Sequence, residues 1–232
     1  MKKFELTSET KINIFGKKLF RIKALISFGD VKAGETGGWV EKEENVNQSG
    51  NAWVSGNAMV SGNAKVSGNA MVYGNAMVYG DAKVYGNAKV SGNAWVSGNA
   101  KVYGNAWVSG NAKVSGDAMV SGDAWVSGNA WVSGNAKVYG DAMVYGDAWV
   151  SGDAMVSGDA DYATIHGFGT QFRTTTFFRC KDKKVRVACG CFFGTIPEFR
   201  EQVKDTRKGK IAEEYLVISD LMEKHFEVKS NE

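Results

Sequence analysis

The dominant feature of the sequence is an alternation of apolar and polar positions that repeats every six residues. From Asn51 to Gly158 the chain consists of eighteen consecutive copies of the unit [ND]-A-[WMK]-V-[SY]-G without a gap. Alanine and valine lie two residues apart in each copy, so they point to the same face of a short strand. The Trp, Met or Lys between them points to the opposite face, as does the Ser or Tyr after valine. The pattern therefore predicts a solenoid of short β-strands with valine and alanine inside.

A glycine followed by asparagine or aspartate separates consecutive strands and predicts a corner there. Both residue types tolerate the positive φ that a tight corner needs. Three strand-and-corner units make one triangular coil of eighteen residues, so the eighteen units of the array predict six coils. Because neighbouring strands lie about 4.8 Å apart, these coils would form a prism roughly 29 Å long.

This unit resembles the hexapeptide repeat of left-handed parallel β-helix proteins, which include acyltransferases. Valine takes the family's inward aliphatic position, and alanine takes the small inward position two residues before it. The left hand of the coil is implied by the resemblance, since ordinary parallel crossovers are right-handed. The predicted fold is mainly β: a left-handed triangular parallel β-helix of about six 18-residue coils, with a small β N-terminal cap and an α/β C-terminal domain.

The variable position between alanine and valine decides what each face of the prism displays. Taken every eighteen residues, its six tryptophans fall on two faces, and four of its six lysines fall on the third. Contiguous exposed apolar columns usually mark a partner surface, and Trp and Met are enriched at interfaces. The partner-binding candidates are Trp53, Trp95, Trp107, Trp125, Trp131 and Trp149. The alternative is that these side chains only shield the neighbouring strands and stay in contact with water.

Lysine and tyrosine share the third face, which suggests a site for a nucleotide or another small anion through charge and ring stacking. The anionic-ligand candidates are Lys65, Lys83, Lys101, Lys137, Tyr85, Tyr103 and Tyr139. The alternative is a solvated face on which the lysines pair with corner aspartates of adjacent coils. The sequence favours this alternative, because the local charges nearly cancel.

The segments outside the array predict a cap for each open end, since an exposed sheet edge must be covered. Near the N-terminus, residues 4–7 and 12–15 have strand character and can pair with residues 19–25 through a tight turn. Degenerate units border the array, and in these units Gln48 and Tyr162 replace valine.

The C-terminal segment predicts a small α/β unit. Residues 171–180 and 184–191 have strand character, a capping box at residues 195–198 predicts the start of a helix, and a second helix follows from Ile211. The predicted division of the chain is an N-terminal β cap at 1–44, the β-helix at 45–166, and a C-terminal α/β cap or assembly domain at 167–232.

Both end segments resemble those of phage and prophage β-helix proteins with Gly-Asn-Ala repeats. The N-terminal likeness rests on Arg-Ile-x-Ala-Leu at 21–25 and Gly-Gly-Trp-Val-Glu at 37–41. The C-terminal likeness rests on Cys-Gly-Cys at 189–191, followed by Ile-Pro-Glu-Phe at 196–199. The resemblance implies a phage-encoded protein that acts in the cytoplasm of its host and counteracts host defence, either by binding a host protein or by sequestering a nucleotide signal.

Composition and charge narrow the classes of function. The net charge of +3, from 28 basic and 25 acidic residues, is too balanced to indicate a nucleic-acid or membrane-surface protein. No apolar run reaches the roughly 20 residues of a transmembrane span. Three cysteines, without a secretory signal, indicate reduced thiols in a cytoplasm, and with two histidines they favour incidental thiols over a zinc site. We therefore expect no metal, no cofactor, no membrane contact and no nucleic-acid partner.

The array carries no histidine and no inserted loop, whereas the acyltransferase relatives use a histidine base on the solenoid. The chain also lacks the recognised motifs for phosphate binding or nucleophilic catalysis. We therefore predict no catalytic residues and a non-catalytic, homo-oligomeric binding or scaffold protein whose ligand is a host protein or a nucleotide. The alternative is an atypical hexapeptide-repeat acyltransferase that uses His166.

Overall fold

The computed structural model describes residues 1–227, and the array forms the parallel β-helix predicted from the repeat. Each unit contributes one two-residue strand made of the variable residue and its valine. The eighteen strands are β4 (Trp53–Val54), β5 (Met59–Val60), β6 (Lys65–Val66), β7 (Met71–Val72), β8 (Met77–Val78), β9 (Lys83–Val84), β10 (Lys89–Val90), β11 (Trp95–Val96), β12 (Lys101–Val102), β13 (Trp107–Val108), β14 (Lys113–Val114), β15 (Met119–Val120), β16 (Trp125–Val126), β17 (Trp131–Val132), β18 (Lys137–Val138), β19 (Met143–Val144), β20 (Trp149–Val150) and β21 (Met155–Val156).

The strands stack into three parallel sheets, which form the three faces of the prism. The first face runs β4-β7-β10-β13-β16-β19, the second contains β5-β8-β11-β14-β17-β20, and the third runs β6-β9-β12-β15-β18-β21. Each residue pairs with the residue eighteen positions later, so that Val54 lies beside Val72 and Trp107 beside Trp125. Since the register never slips inside the array, every coil presents its variable residue directly above that of the coil before.

The core is a column of valine and alanine that runs the length of the prism. Every valine and alanine of the eighteen units is at most 1% exposed. Burying one valine side chain contributes about 1.5–3 kcal/mol. Because a coil can bury its valines only against the coils above and below it, its stability depends on those neighbours. This dependence on neighbours makes the two end caps essential.

The corners are held by glycine conformation and by ladders of asparagine side chains. Gly128 has a φ of 68°, and a β-carbon there would lie 2.8 Å from the backbone nitrogen of Gly146 one coil later, so only glycine fits. At the corner between the first two faces, each asparagine amide donates to the side-chain oxygen of the next coil over 2.8–3.2 Å. This ladder consists of Asn57, Asn75, Asn93, Asn111, Asn129 and Asp147.

The N-terminal cap extends the second face beyond the array. Strand β1 (Phe4–Ile12) pairs antiparallel with β2 (Lys18–Ala24), and β2 pairs antiparallel with β3 (Thr36–Val40). This confirms the predicted pairing of residues 4–7 with residues 19–25, whereas residues 13–15, predicted as strand, lie in the turn of the hairpin. Strand β3 then pairs in parallel with β5. The array forms the six predicted coils, and β3 and a bridge from Val46 to Val66 add one coil before it, so the β-helix has about seven turns.

This additional coil corrects the interpretation of Gln48 as the residue that replaces valine at the N-terminal end. Val46 is 1% exposed and takes the inward position beside Val66, and the side chain of Asn45 donates to the carbonyl of Ala64. Gln48 instead bonds the backbone of Phe4, whose N–H it accepts and whose carbonyl it donates to. The first coil is longer than eighteen residues, so counting back from the array selected the wrong side chain.

The C-terminal segment folds into an α/β unit that contains the two predicted strands and two helices, together with two strands that the sequence did not predict, at residues 162–168 and 192–195. An antiparallel sheet contains β22 (Tyr162–Phe168), β23 (Arg173–Arg179), β24 (Val185–Cys189) and β25 (Phe192–Thr195), in that order. Two helices follow, α1 (Ile196–Thr206) and α2 (Lys210–Glu227). As predicted, a capping box starts α1, with the Glu198 N–H donating to Thr195 Oγ1 and the Thr195 N–H donating to Glu198 Oε2.

This unit covers the open end of the β-helix. Phe178 is fully buried in the same core as the array's valines, and Tyr162 is 7% exposed and donates its hydroxyl to the carbonyl of Met143. The backbone N–H of Trp149, in the last strand of the second face, donates to Thr176 Oγ1 on β23. Side chains of the C-terminal unit therefore bond backbone groups of the last coil that have no neighbouring strand of the array. Within residues 1–227, neither helix is long and apolar enough to cross a membrane.

Candidate binding faces of the solenoid

Four of the six predicted tryptophan candidates form two stacked pairs. Trp107 and Trp125 stack on the first face with ring centroids 5.2 Å apart and planes 10° apart. Trp131 and Trp149 stack on the second face at 5.5 Å, also with planes 10° apart. Trp107 and Trp125 are each 38% exposed, and Trp131 is 43% exposed. These rings are ordered by the register of the β-helix and still offer apolar surface.

A serine of the preceding coil fixes each of these rings. The indole nitrogen of Trp107 donates to Ser91 Oγ over 3.0 Å, and that of Trp125 donates to Ser109 Oγ over 2.9 Å. Trp131 and Trp149 make the corresponding bonds to Ser115 and Ser133. Each serine lies sixteen residues before its tryptophan. This spacing differs from the eighteen-residue period of the coils, so the repeat pattern alone did not predict the bond.

Trp53 is not available as a partner-binding residue, which corrects its place among the exposed candidates. It is 1% exposed because the N-terminal cap covers it, with the rings of Phe4 and Phe28 packed edge-on at 6.1 and 5.4 Å. Trp95 is half-buried, with Tyr79 against its edge and the Lys113 ammonium 5.3 Å from its ring. The usable tryptophans therefore lie in the later coils.

The third face brings together most of the predicted anionic-ligand residues. Lys65, Lys83 and Lys101 are neighbours in register on consecutive coils, and all three are exposed. Beside them, the rings of Tyr85 and Tyr103 stack at 4.9 Å with planes 2° apart. Burial, and then the neighbouring Tyr103 hydroxyl, raise the pKa of Tyr85.

An open groove of about 680 Å³ runs along these lysines, and we call it the lysine groove. Lys42, from the segment before the array, adds a fourth ammonium group and donates to Asn63 Oδ1 over 3.2 Å. Sequence periodicity missed Lys42 because it lies outside the repeats. The groove is lined by Lys42, Glu44, Asn63, Ala64, Lys65, Asp81, Lys83, Asn99 and Lys101.

Lys137 and Tyr139 belong to a different part of the third face. Met119 separates Lys137 from Lys101 in the register. Tyr139 lines a cleft of about 1040 Å³ between the last coils and the C-terminal unit, together with Arg179 and Lys181. The seven predicted residues of the third face therefore form two separate groups.

Charge is distributed unevenly along the axis of the array, although the whole chain is nearly balanced. Residues 51–116 carry five lysines and one aspartate, whereas residues 117–158 carry five aspartates and one lysine. The lysine groove lies in the positive part, and the exposed tryptophan stacks lie at or beyond the point where the sign changes.

The histidine and cysteine side chains that could support catalysis or metal binding are dispersed. His166 is exposed on β22, and its Nδ1 lies 3.0 Å from Thr174 Oγ1. Burial raises the pKa of the Cys180 thiol to about 11, so this thiol stays protonated near neutral pH. In the part of the chain that the structure describes, no three His, Cys, Asp or Glu side chains come together as a metal-binding group.

The three parallel sheets and the six-residue unit define the class: the chain is a β-solenoid repeat protein. Its repeats match the family model described as YdcK Beta solenoid repeat. The matched segments are residues 52–68, 64–80, 72–86, 82–98, 112–128 and 136–152. No curated protein matches the chain. The family match lies inside the array and bears on the fold, while the two caps lie outside it.

Proposed function

We propose that this β-solenoid is a non-catalytic binding scaffold that pairs with a second copy of itself through the first face. The observation that carries the proposal is the exposed, ordered stack of Trp107 and Trp125 near the middle of that face. Tryptophan is enriched among the residues that dominate binding energy at interfaces. A ring that is already held in place loses little conformational freedom on binding.

Charge complementarity supports a second copy as the occupant. A twofold axis in the plane of the first face, between β13 and β16, reverses the solenoid axis of the second copy. Of the five lysines in residues 51–116, only Lys89 lies on the first face, and the other four lie on the second and third faces. The corners of the first face carry Asp123, Asp141 and Asp147 in its negative part. In this arrangement Trp107 meets Trp125 of the second copy, and Lys89 lies beside Asp141 of the second copy. Complementary charges of this kind favour one register and one orientation.

The second face is a poorer candidate for this contact. Trp149 is half-buried, and its backbone is bonded to the C-terminal sheet. Trp95 lies against Tyr79, whose ring also contacts Phe15 of the N-terminal hairpin at 4.8 Å. The caps also reach both ends of the first face, at Trp53 and Met143. The difference is that the second-face stack includes Trp149 itself, whereas the first-face stack lies between Lys89 and Met143.

Sedimentation equilibrium over a range of protein concentrations tests the proposal. We expect a dimer that weakens at high salt, and a dissociation constant at least tenfold higher for Trp107→Met, since loss of a buried interface tryptophan typically exceeds about 1.4 kcal/mol. Other units carry methionine at this position, so the coil tolerates it. Trp131→Met on the second face is the matched control. A monomer at all concentrations, a trimer, or equal weakening by Trp131→Met would contradict the proposal.

The phage origin belongs to this proposal as well, and its support is the resemblance of the two end segments. It locates the protein in the cytoplasm of an infected cell, with a host protein as a further binding partner. Antibody detection across an infection time course tests the location. Appearance of the protein in the cytosolic fraction after infection is expected, and accumulation in the envelope fraction would contradict it.

A further inference from the structure

The lysine groove carries an excess of positive charge, because four lysines and two carboxylates, Glu44 and Asp81, line it. Like charges that are directly opposite on neighbouring strands destabilise a sheet, yet Lys65, Lys83 and Lys101 occupy three consecutive coils. Among residues 1–227, none of these three lysines forms an ion pair. The corner carboxylate in the lining, Asp81, accepts a hydrogen bond from the Asn63 amide over 3.1 Å. An anionic ligand would remove the repulsion.

The other lysines of the array do not show this arrangement. Lys89 lies between Met71 and Trp107 in the register of the first face. Lys113 lies between Trp95 and Trp131 on the second face, with its ammonium group over the Trp95 ring. The clustering is therefore a property of the third face alone, and Lys113 provides a matched control in the same structural position.

The stacked rings of Tyr85 and Tyr103 lie on the same face as the lysine groove. Tyr85 follows Lys83 by two residues, so the α-carbons of these two residues lie about 6.6 Å apart along extended backbone, with side chains that start on the same side. The Tyr85–Tyr103 stack stops at Tyr85 because the preceding coil carries Ser67 at that position. A recess of about 360 Å³ lies over Ser67, and its lining contains apolar, amide, acidic and basic side chains: Glu43, Glu44, Val46, Asn47, Gln48, Lys65 and Val66. Lys65 thus borders both the groove and the recess.

The dimensions select a small ligand over a strand of nucleic acid. Lys65 and Lys101 are two coils apart, which is roughly 9.6 Å at the usual spacing of strands. Met119 ends the lysine column on the next coil. Single-stranded nucleic acids occupy about 4–16 nucleotides on comparable binding folds, so this column is too short for them. A chain of two or three phosphates with one planar base matches the groove and the recess together.

We infer that the third face binds a nucleoside polyphosphate, with its phosphates along Lys65, Lys83 and Lys101 and its base over Ser67 against Tyr85. Lysine ammonium groups hold phosphates as point charges, and Lys42 closes the end of the groove with a fourth. Base stacking on an aromatic ring adds specificity for the nucleoside. The site uses a different face from the proposed dimer contact and does not depend on it.

Isothermal titration calorimetry with ATP, in low salt and without divalent cations, tests this inference. Lys83→Met and Tyr85→Ser place residues that other units carry at these positions, so the fold should tolerate both. We expect Lys83→Met to weaken ATP binding about 10- to 100-fold, the usual effect of losing one charged hydrogen-bonding group. We expect Tyr85→Ser to weaken ATP about 5- to 100-fold and to leave the binding of inorganic triphosphate unchanged.

Three results would overturn the inference. The first is no binding of ATP at millimolar concentration. The second is an equal loss of affinity in the control Lys113→Met. The third is tighter binding of a ten-nucleotide single strand than of ATP. Retained ATP binding by Trp107→Met would separate this site from the proposed dimer, because that variant disturbs only the first face. Far-ultraviolet circular dichroism of each variant verifies that the β-helix is intact.

Discussion

Trp107 and Trp125 stack face to face at 5.2 Å on the outside of the β-helix, and each is fixed by a serine of the preceding coil. Their rings follow the same eighteen-residue register as the valines inside. The outer layer of the first face is therefore as regular as the core, although these side chains are 38% exposed. Order of this kind on a surface is a property that spectroscopy can detect.

Replacing Ser109 by alanine should loosen this stack without disturbing the core. The variant removes the acceptor for the Trp125 indole N–H, and we expect a loss of about 0.5–1.5 kcal/mol in the free energy of unfolding, toward the lower end because the bond is exposed. The exciton signal of the stacked indoles in circular dichroism should also weaken. Ser127→Ala is the control on the same face, because the residue sixteen positions later is Met143. Equal effects of the two variants would contradict the role of the bond.

The sequence predicts the interior of the β-helix well because every unit repeats the same local rule. Valine, alanine and glycine each occupy one fixed position in the unit. A wrong assignment of inward and outward positions would therefore recur in all eighteen units, and this makes it easy to exclude. The two helices and the hairpin were also predicted, since capping residues and alternation are local signals. Such local signals predict the helices and the hairpin without any knowledge of their tertiary contacts.

The features that the sequence did not predict depend on contacts between distant parts of the chain. Trp53 is buried by Phe4 and Phe28, about fifty and twenty-five positions earlier, although its unit is identical to exposed ones. Gln48 does not take the inward position expected of it, because the first coil contains extra residues and Val46 lies there instead. Lys42 joins the lysine groove from outside the repeats. Periodicity carries no information about where the caps fold back.

The asparagine ladder predicts a cost for removing a single donor. Asn93 accepts from Asn75 over 3.1 Å and donates to Asn111 over 3.0 Å, whereas aspartate at this position could only accept. We expect Asn93→Asp to lower the free energy of unfolding by about 0.5–1.5 kcal/mol in urea denaturation. The reverse change, Asp81→Asn, supplies a donor toward Asn99 and should raise it. A destabilised Asp81→Asn variant would show that the ladder does not stabilise this corner.

Two corner glycines with the same backbone conformation should respond differently to alanine. Gly128 and Gly146 both have a φ of 68°. A β-carbon on Gly128 meets the Gly146 nitrogen at 2.8 Å, whereas one on Gly146 has no neighbour within 4 Å. We expect Gly146→Ala to cost about 1–2 kcal/mol from left-handed strain alone, and Gly128→Ala to cost clearly more in urea denaturation. Equal costs would mean that the coils move apart to accept the methyl group.

The buried Lys3 should give the stability of the β-helix a distinctive pH dependence. Lys3 is 2% exposed, and its ammonium group donates to the carbonyls of Ala52 and Gly50 over 2.8 and 3.2 Å. Burial lowers the pKa of Lys3 to about 8. In the unfolded chain this pKa returns to about 10.4, so the unfolded state binds more protons between these two values.

Stability should therefore rise with pH from about 8 upward, because the free energy of unfolding increases wherever the unfolded state holds more protons. Two groups act in the opposite sense at higher pH, since burial raises the pKa of Cys180 to about 11 and that of Tyr162 to about 12. The measurement is urea denaturation of the native chain and of Lys3→Met between pH 7.5 and 9. The stability of the native chain should increase more steeply than that of the variant, and parallel curves would show that Lys3 does not titrate in this range.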